Sequence, residues 1–208
     1  MRVLLLADEE QQKELCTNIN RSLLSITTTN NPGELSSMNN FDACIDLLFE
    51  FSHDRDEWLF NTAIPLVFIN SVMRVSLKRA VVRINGWPGF LRGPLIEAVA
   101  DDPILKTASE NLIALFGRKL EWVPDIDGMI SPRVVAAIIN EAYFALDEKV
   151  STEAAIDTAM KLGTNYPYGP FEWGNKIGLQ HIHALLSKLT EKDDRYAPAA
   201  LLTKTALA

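Results

Sequence analysis

The stretch that decides the fold runs from Asp127 to Gln180: DGMISPRVVAAIINEAYFALDEKVSTEAAIDTAMKLGTNYPYGPFEWGNKIGLQ. Ser131 followed by Pro132 predicts a helix start, with a hydroxyl at the N-cap and proline at the first helical position. Val135, Ile138, Ile139, Ala142 and Leu146 then recur at the spacing of one helical face. Ser151 is placed to cap a second helix that ends near Leu162, with Gly163 as its stop. Pro167 and Pro170 fix φ in the loop that follows, and Gly169 is expected to supply a turn that other residues cannot make. Leu179, Ile182, Leu185, Leu186 and Leu189 form another apolar stripe. The C-terminal part is therefore predicted to be all-helical, with a partly loose tail from Lys192 onward.

Upstream of Pro124 the pattern is different. Val3 to Ala7 is a short, continuously apolar run of the kind found in buried parallel strands. A helical segment is predicted from Glu9 to Arg21, and the β-branched run Ser25 to Thr29 reads as a second strand. Asn30-Asn31-Pro32-Gly33 reads as a turn. Phe41 to Phe51, Ile64 to Asn70, Ala80 to Asn85 and Leu95 to Val99 are further short apolar runs, most of them separated by turn-rich or helix-like pieces. Strands alternating with crossovers imply a largely parallel α/β sheet. Two domains are expected, residues 1–124 and 125–208.

Composition restricts the partners. The chain has 208 residues, 48% hydrophobic and 23% charged, with a formal net charge of -7. An acidic chain lacks the basic face that nucleic acid requires, so no nucleic-acid partner is expected. No run approaches the roughly twenty apolar residues of a spanning helix, and MRVLLLADEE is not read as a signal peptide because acids follow its short apolar run at once. Cys16 and Cys44 lack companion ligands, so neither a metal site nor a disulfide is expected and Cys44 reads as a buried thiol. A cytoplasmic setting is the expectation. His53 is placed in a polar loop. His181 and His183 lie two positions apart on a helix and face different sides, which argues against a shared metal.

Within the opening stretch, Asn140-Glu141-Ala142, Ile156 to Gly163, Tyr166 to Glu172 and Ile177-Gly178-Leu179 follow one another without a gap. This succession resembles the C-terminal domain of 3-hydroxyacyl-CoA dehydrogenases, which oxidise the 3-hydroxyl of an acyl-CoA with NAD. Three further segments extend the resemblance. Ala80 to Val99 is similar to the family's VGLHFFNPVxxMPLVEV stretch. Phe41 to Glu50 is similar to its third strand, ADLVIEAVPE, and Pro65 to Ser71 to its strand ending in SNTSS. The implied fold is a truncated Rossmann-like parallel-sheet domain followed by an all-helical domain of the 6-phosphogluconate-dehydrogenase C-terminal type. The resemblance also implies a homodimer formed through the helical domain, and an acyl-CoA ligand.

The same resemblance locates the chemistry. The family uses a His base oriented by a Glu, while a Ser and an Asn hold the substrate oxygen and that His. The His position is Asn85 here, and an amide cannot take up a proton near neutral pH. The Glu position is Glu97, which is retained. The Ser falls at or beside Val72, with Ser71 as a near-substitute, and the Asn position is Ser131. Glu50 and Arg55 keep the spacing of a Glu and a Lys that line the nicotinamide pocket in the family. On the residues alone they read equally well as a surface charge pair on a loop.

A dinucleotide fold requires a glycine-rich turn after its first strand, so that backbone can approach the pyrophosphate. Here Ala7-Asp8-Glu9-Glu10-Gln11-Gln12 contains no glycine, and its acids repel a diphosphate. The acid that follows the second strand in the family is absent. The stretch between the first and third strands is also short, so the family's second strand and long helix are expected to be missing or replaced. The family's closing GxxGxKxGxGFY segment has no counterpart before Ala208. NAD is therefore the family's cofactor but is not expected to bind tightly. Three functions follow: a relative with lost or reduced oxidation that keeps an acyl-CoA-binding or regulatory role, an active divergent dehydrogenase, and a purely structural homodimer.

Overall fold

The structure, a computed structural model, describes every residue except Asn18, Asn20, Arg21 and Asn39. It divides into two compact units, Met1–Asp125 and Ile126–Ala208.

The first unit is a seven-stranded sheet in the order β2-β1-β3-β4-β5-β6-β7. Its strands are β1 (Arg2–Leu6), β2 (Ser25–Thr29), β3 (Ala43–Asp46), β4 (Leu66–Asn70), β5 (Val82–Ile84), β6 (Leu95–Val99) and β7 (Lys119–Trp122). Every pairing is parallel except β5 with β6. The continuous apolar character of β1 follows from burial on both faces. Val3 and Leu5 join the cluster containing Phe68, Leu112 and Phe116. Leu4 and Leu6 join the opposite cluster with Cys44, Leu59 and Ile69. The order reverses at β1, which has β2 on one side and β3 on the other, so the carboxyl ends of β1 and β3 mark the switch point at which open α/β sheets hold ligands.

Short helices connect the strands: α1 (Glu9–Leu15), α2 (His53–Asn61) and α3 (Pro103–Leu115). The segment expected to be helical to Arg21 is helical only to Leu15, and its expected end lies outside the described residues. The family's second strand is present rather than missing: β2 pairs with β1 through Arg2↔Ser25 to Leu6↔Thr29. What replaces the long crossover helix is a 3-10 turn at Pro32–Ser37, capped by the Asn31 side chain accepting from the Gly33 amide. His53 is the first residue of α2 rather than part of a loop, because Ser52 supplies the N-cap by accepting from the Arg55 amide.

The second unit contains α4 (Ser131–Asp147), α5 (Glu153–Thr164), α6 (Pro170–Ile177), α7 (Leu179–Thr190) and α8 (Ala200–Ala206). On α4, Val135, Ile139 and Ala142 are buried as the periodicity predicts, and Ala136, Asn140 and Tyr143 widen that face. Ile182, Leu185, Leu186 and Leu189 form the buried stripe of α7.

Four local expectations are corrected. Ser131 is not the N-cap of α4; Ile130 holds that position without a side-chain bond, and Ser131 begins the helix. Thr152, not Ser151, caps α5, since its hydroxyl accepts from the Ala155 amide. Gly163 lies within α5, and the left-handed stop is Asn165 at φ 57°. The tail is ordered: Asn140 donates to the Ala197 carbonyl at 2.9 Å and accepts from the Ala199 amide at 2.8 Å, while Leu202 is buried. A buried asparagine with both ends of its amide satisfied by one backbone segment fixes that segment firmly.

Candidate functional site

The carboxyl edge of the sheet is built from four strand ends. At the end of β1, Asp8 caps α1. Its carboxylate accepts from the Gln11 amide at 2.7 Å, and its own N–H donates to Gln11 Oε1 at 3.1 Å. This reciprocal pair is a capping box. It places a carboxylate where the amides of a helix start would otherwise be open, with Glu9 and Glu10 exposed in the same turn.

Gln11 is buried and reaches across the switch point, where Nε2 donates to the Leu47 carbonyl just beyond β3 at 3.1 Å. Asn70, at the end of β4, donates to the same carbonyl at 3.2 Å. Asn70 Oδ1 in turn accepts from the Gly86 amide beyond β5 at 2.9 Å. A Cβ on Gly86 would lie 2.8 Å from the Asn70 side chain, so a glycine is needed for this approach.

Asn85 and Glu97 are brought together by the antiparallel register of β5 and β6. Asn85 is 1% exposed and its amide donates to the Glu97 carbonyl at 3.0 Å. The Asn85 side-chain oxygen accepts from the Trp87 amide at 3.2 Å. Glu97 is half-buried. Ser71 is near the same edge, after β4, and its hydroxyl donates to the Met73 carbonyl at 2.8 Å. Val72 beside it is buried. Arg83 holds this turn by donating to the carbonyls of Ser71 and Met73, and it is ion-paired to Asp125. Ser131 lies in the second unit, half-buried in the first turn of α4.

Glu50 and Arg55 do not form a pair on a loop. Glu50 is exposed beyond β3, whereas Arg55 is buried in α2 and directs Nε and Nη2 onto Asp46 Oδ2 at 3.0 and 2.6 Å. Asp46 is fully buried and its Oδ1 has no hydrogen-bond partner. Burial pushes its carboxyl up to about 6, against the opposing pull of the Arg55 charge and hydrogen bonds. Cys44, two residues earlier on β3, is a free and buried thiol whose ionisation burial drives far upward, so it is chemically inert. His53 faces Glu57 at 4.0 Å, His181 is exposed and His183 half-buried on α7. Among the described residues, no cluster of three or more His, Cys, Asp or Glu could hold a metal ion.

Three polar residues at these positions escaped the sequence analysis. Gln11 carried a readable signal, because Asp8-Glu9-Glu10-Gln11 has the spacing of a capping box. Asn70 and Asp46 carried none, since their partners lie on other strands and helices.

In the helical unit the loop before α6 has a specific job. Asp157 of α5 is buried, and its carboxylate accepts from the amides of Phe171 at 2.8 Å and Glu172 at 3.1 Å, capping α6 from another helix. Glu172 accepts from the Gly169 amide at 3.0 Å and pairs with Lys161. Gly169 has φ -74°, so its conformation is open to any residue. What matters is the missing side chain, because a Cβ there would lie 2.3 Å from the Asp157 carboxyl carbon.

A mostly parallel sheet with an order reversal at β1, followed in sequence by an all-helical unit, defines an α/β protein of the Rossmann-like class with a helical C-terminal domain. Residues 128–208 match the family model described as the 3-hydroxyacyl-CoA dehydrogenase C-terminal domain. The chain is 40% identical over 137 residues to 3-hydroxyadipyl-CoA dehydrogenase of Escherichia coli K12, which takes in 65% of this chain and 29% of that protein. It is 37% identical over 112 residues to 3-hydroxybutyryl-CoA dehydrogenase of Bradyrhizobium diazoefficiens, covering 53% of this chain and 38% of that one. The chain thus spans well under half the length of these curated relatives. Among solved structures, 3-hydroxybutyryl-CoA dehydrogenase of E. coli K12 superposes with a TM-score of 0.61 at 32% identity, over 78% of this chain and 35% of that one. FadB2 of Mycobacterium tuberculosis shares the fold with a TM-score of 0.71 at 14% identity, over 98% and 92% of the two chains. Residues 128–208 thus match the C-terminal domain of 3-hydroxyacyl-CoA dehydrogenases, and the chain as a whole is similar to these enzymes while diverging in its sheet unit.

Proposed function

We propose that this chain is a non-oxidising member of its family that retains an acyl-CoA-binding or regulatory role. The observation that carries the proposal is the Asp8–Gln11 capping box, which puts a carboxylate and a buried side chain at the turn where a dinucleotide fold presents bare backbone to a pyrophosphate. The residues of this corner do not fit NAD, which brings two further negative charges to a site already holding Asp8, Glu9 and Glu10. Asn85 at the position of the family's base supports the same reading. Its amide oxygen is occupied by the Trp87 N–H, and no amide accepts a proton near neutral pH.

The retained part is the helical unit, whose sequence is matched by dehydrogenases named for 3-hydroxyadipyl-CoA and 3-hydroxybutyryl-CoA. An acyl-CoA is therefore the ligand class we assign to the chain. We also propose a homodimer through this unit. Ile130, Val134 and Phe144 are 54%, 51% and 39% exposed, and give α4 a second apolar face. Among the described residues no helix is long and apolar enough to cross a membrane. With neither cysteine in a disulfide, the cytoplasm is the compartment we assign.

The test is ligand-induced thermal stabilisation, since a ligand that binds only the native state raises its melting temperature. Acetoacetyl-CoA is expected to stabilise the chain, NADH is not, and no NADH consumption is expected. Stabilisation by micromolar NADH would overturn the proposal and favour an active divergent dehydrogenase, a reading that the retained Glu97 supports.

A further inference from the structure

We infer that the side-chain amides of Gln11 and Asn70 form a clasp that shuts the β1/β3 switch point from within, an autoinhibitory contact occupying the place of a nucleotide. The inference rests on the proposed loss of cofactor binding and adds the device that closes the site. Three bonds carry it. Gln11 donates to the Leu47 carbonyl at 3.1 Å, Asn70 donates to the same oxygen at 3.2 Å, and Asn70 accepts from Gly86 at 2.9 Å. Together they tie the turn after β1 to the ends of β3, β4 and β5. The Leu47 carbonyl has two lone pairs, and both are engaged by side chains.

The order reversal normally leaves this edge open for a ligand. Here Gln11 is 8% exposed, so its amide is committed inside this edge, where withdrawing it would leave the Leu47 carbonyl with one of its two side-chain donors, Asn70. The capping box sets its direction. The Asp8 N–H holds Gln11 Oε1, which leaves only Nε2 to point across the gap. Gly86 completes the clasp by allowing Asn70 to lie against its backbone. A dinucleotide crossing this edge would have to break the Gln11 bond before making any of its own.

Hydrogen exchange on the whole chain tests the clasp, because the Gly86 amide is bonded to Asn70 and reaches Gln11 through the shared Leu47 carbonyl. Glu in place of Gln11 keeps the acceptor for the Asp8 amide and turns the donor to Leu47 into an acceptor, so the bond across the gap is lost. If the four ends act as one unit, Gln11→Glu speeds exchange of the Gly86 amide as well as that of Leu47, by about two- to tenfold for one lost hydrogen bond. Peptides of the helical unit stay unchanged. Asn70→Ala serves as the positive control at Gly86. Gly86 exchange that is identical in wild type and Gln11→Glu, while Asn70→Ala accelerates it, would overturn the clasp. Adding NADH separates the two proposals. NADH that slows exchange at Leu47 and Gly86 in the wild type overturns both. NADH that stabilises the protein without altering those amides overturns only the proposed loss of cofactor binding.

Discussion

The backbone amide of Asn85 and the backbone carbonyl of Glu97 are joined at 3.0 Å across the antiparallel pair β5/β6. This register brings side by side the two positions that the resemblance to 3-hydroxyacyl-CoA dehydrogenases assigns to a base and its orienting acid. Asn85 is well seated, since it is buried and its side chain accepts from Trp87.

Restoring the imidazole alone is therefore not expected to restore turnover. Asn85→His should consume no NADH above background, because the corner at Asp8 is unchanged. Steady oxidation of NADH by this variant with acetoacetyl-CoA would show that cofactor still reaches the edge.

Asp46 predicts a particular dependence of stability on pH. Its carboxyl is raised to about 6 by burial, whereas in the unfolded chain it returns to about 4. Between those values the folded state holds a proton that the unfolded state has released. The contribution is thus present in full below pH 4 and is lost as pH rises through about 6. Urea denaturation at intervals across that window should show the decline. A profile with the same slope in wild type and Asp46→Asn would assign the effect to other groups.

At neutral pH, Arg55→Ala should cost about 3 to 5 kcal/mol, because it leaves the buried Asp46 carboxylate without a counter-ion, whereas Asp46→Asn mimics the neutral carboxyl that the fold favours and should cost far less. Replacing both residues with apolar side chains should recover much of the Arg55→Ala loss. The comparison by chemical denaturation is a double-mutant cycle, and equal destabilisation by Arg55→Ala and the double variant would contradict it.

Asp157 and Gly169 should be coupled in the same way. Gly169→Ala forces a methyl group into the Asp157 carboxyl, and Asp157→Ala leaves the amides of Phe171 and Glu172 without their acceptor. Each single variant should lose about 1 to 3 kcal/mol. In the double variant the steric part disappears, so its loss should fall below the sum. Strict additivity in thermal melts would contradict the contact.

Asn140→Ala is expected to free the segment from Ala197 to the C-terminus, which the two Asn140 amide bonds hold together with the burial of Ala199 and Leu202. Limited proteolysis should then cut before α8 at low protease concentration, leaving the remainder intact. An unchanged digestion pattern would assign the anchoring to the apolar contacts alone.

What the sequence disclosed and what it hid divide along a physical line. Strands such as Leu95–Val99 and the buried stripe of α7 were legible because burial imposes a period on neighbouring residues. The antiparallel β5/β6 pair was not, since strand direction is set by partners distant in sequence. Ser131 and Ser151 are suitable caps that are not used, because the helices begin where packing lets them and not at every available hydroxyl. Gly169 was read for its backbone freedom, yet it is needed for the space it leaves. Arg55 was recognised as charged, but that its charge is spent on Asp46 is visible only when β3 and α2 are placed together. The alanine-rich tail looked loose because a single asparagine far upstream supplies its anchor.

The cap that α5 lends to α6 bears on how such a chain can drift. Any side chain larger than glycine at 169 collides with the acid at 157, and any smaller group at 157 uncovers the start of α6. Each position therefore blocks a one-step change at the other. The sheet edge holds one comparable pair, since a side chain at 86 would collide with the side-chain amide of Asn70, so both units carry positions whose replacements must come in twos.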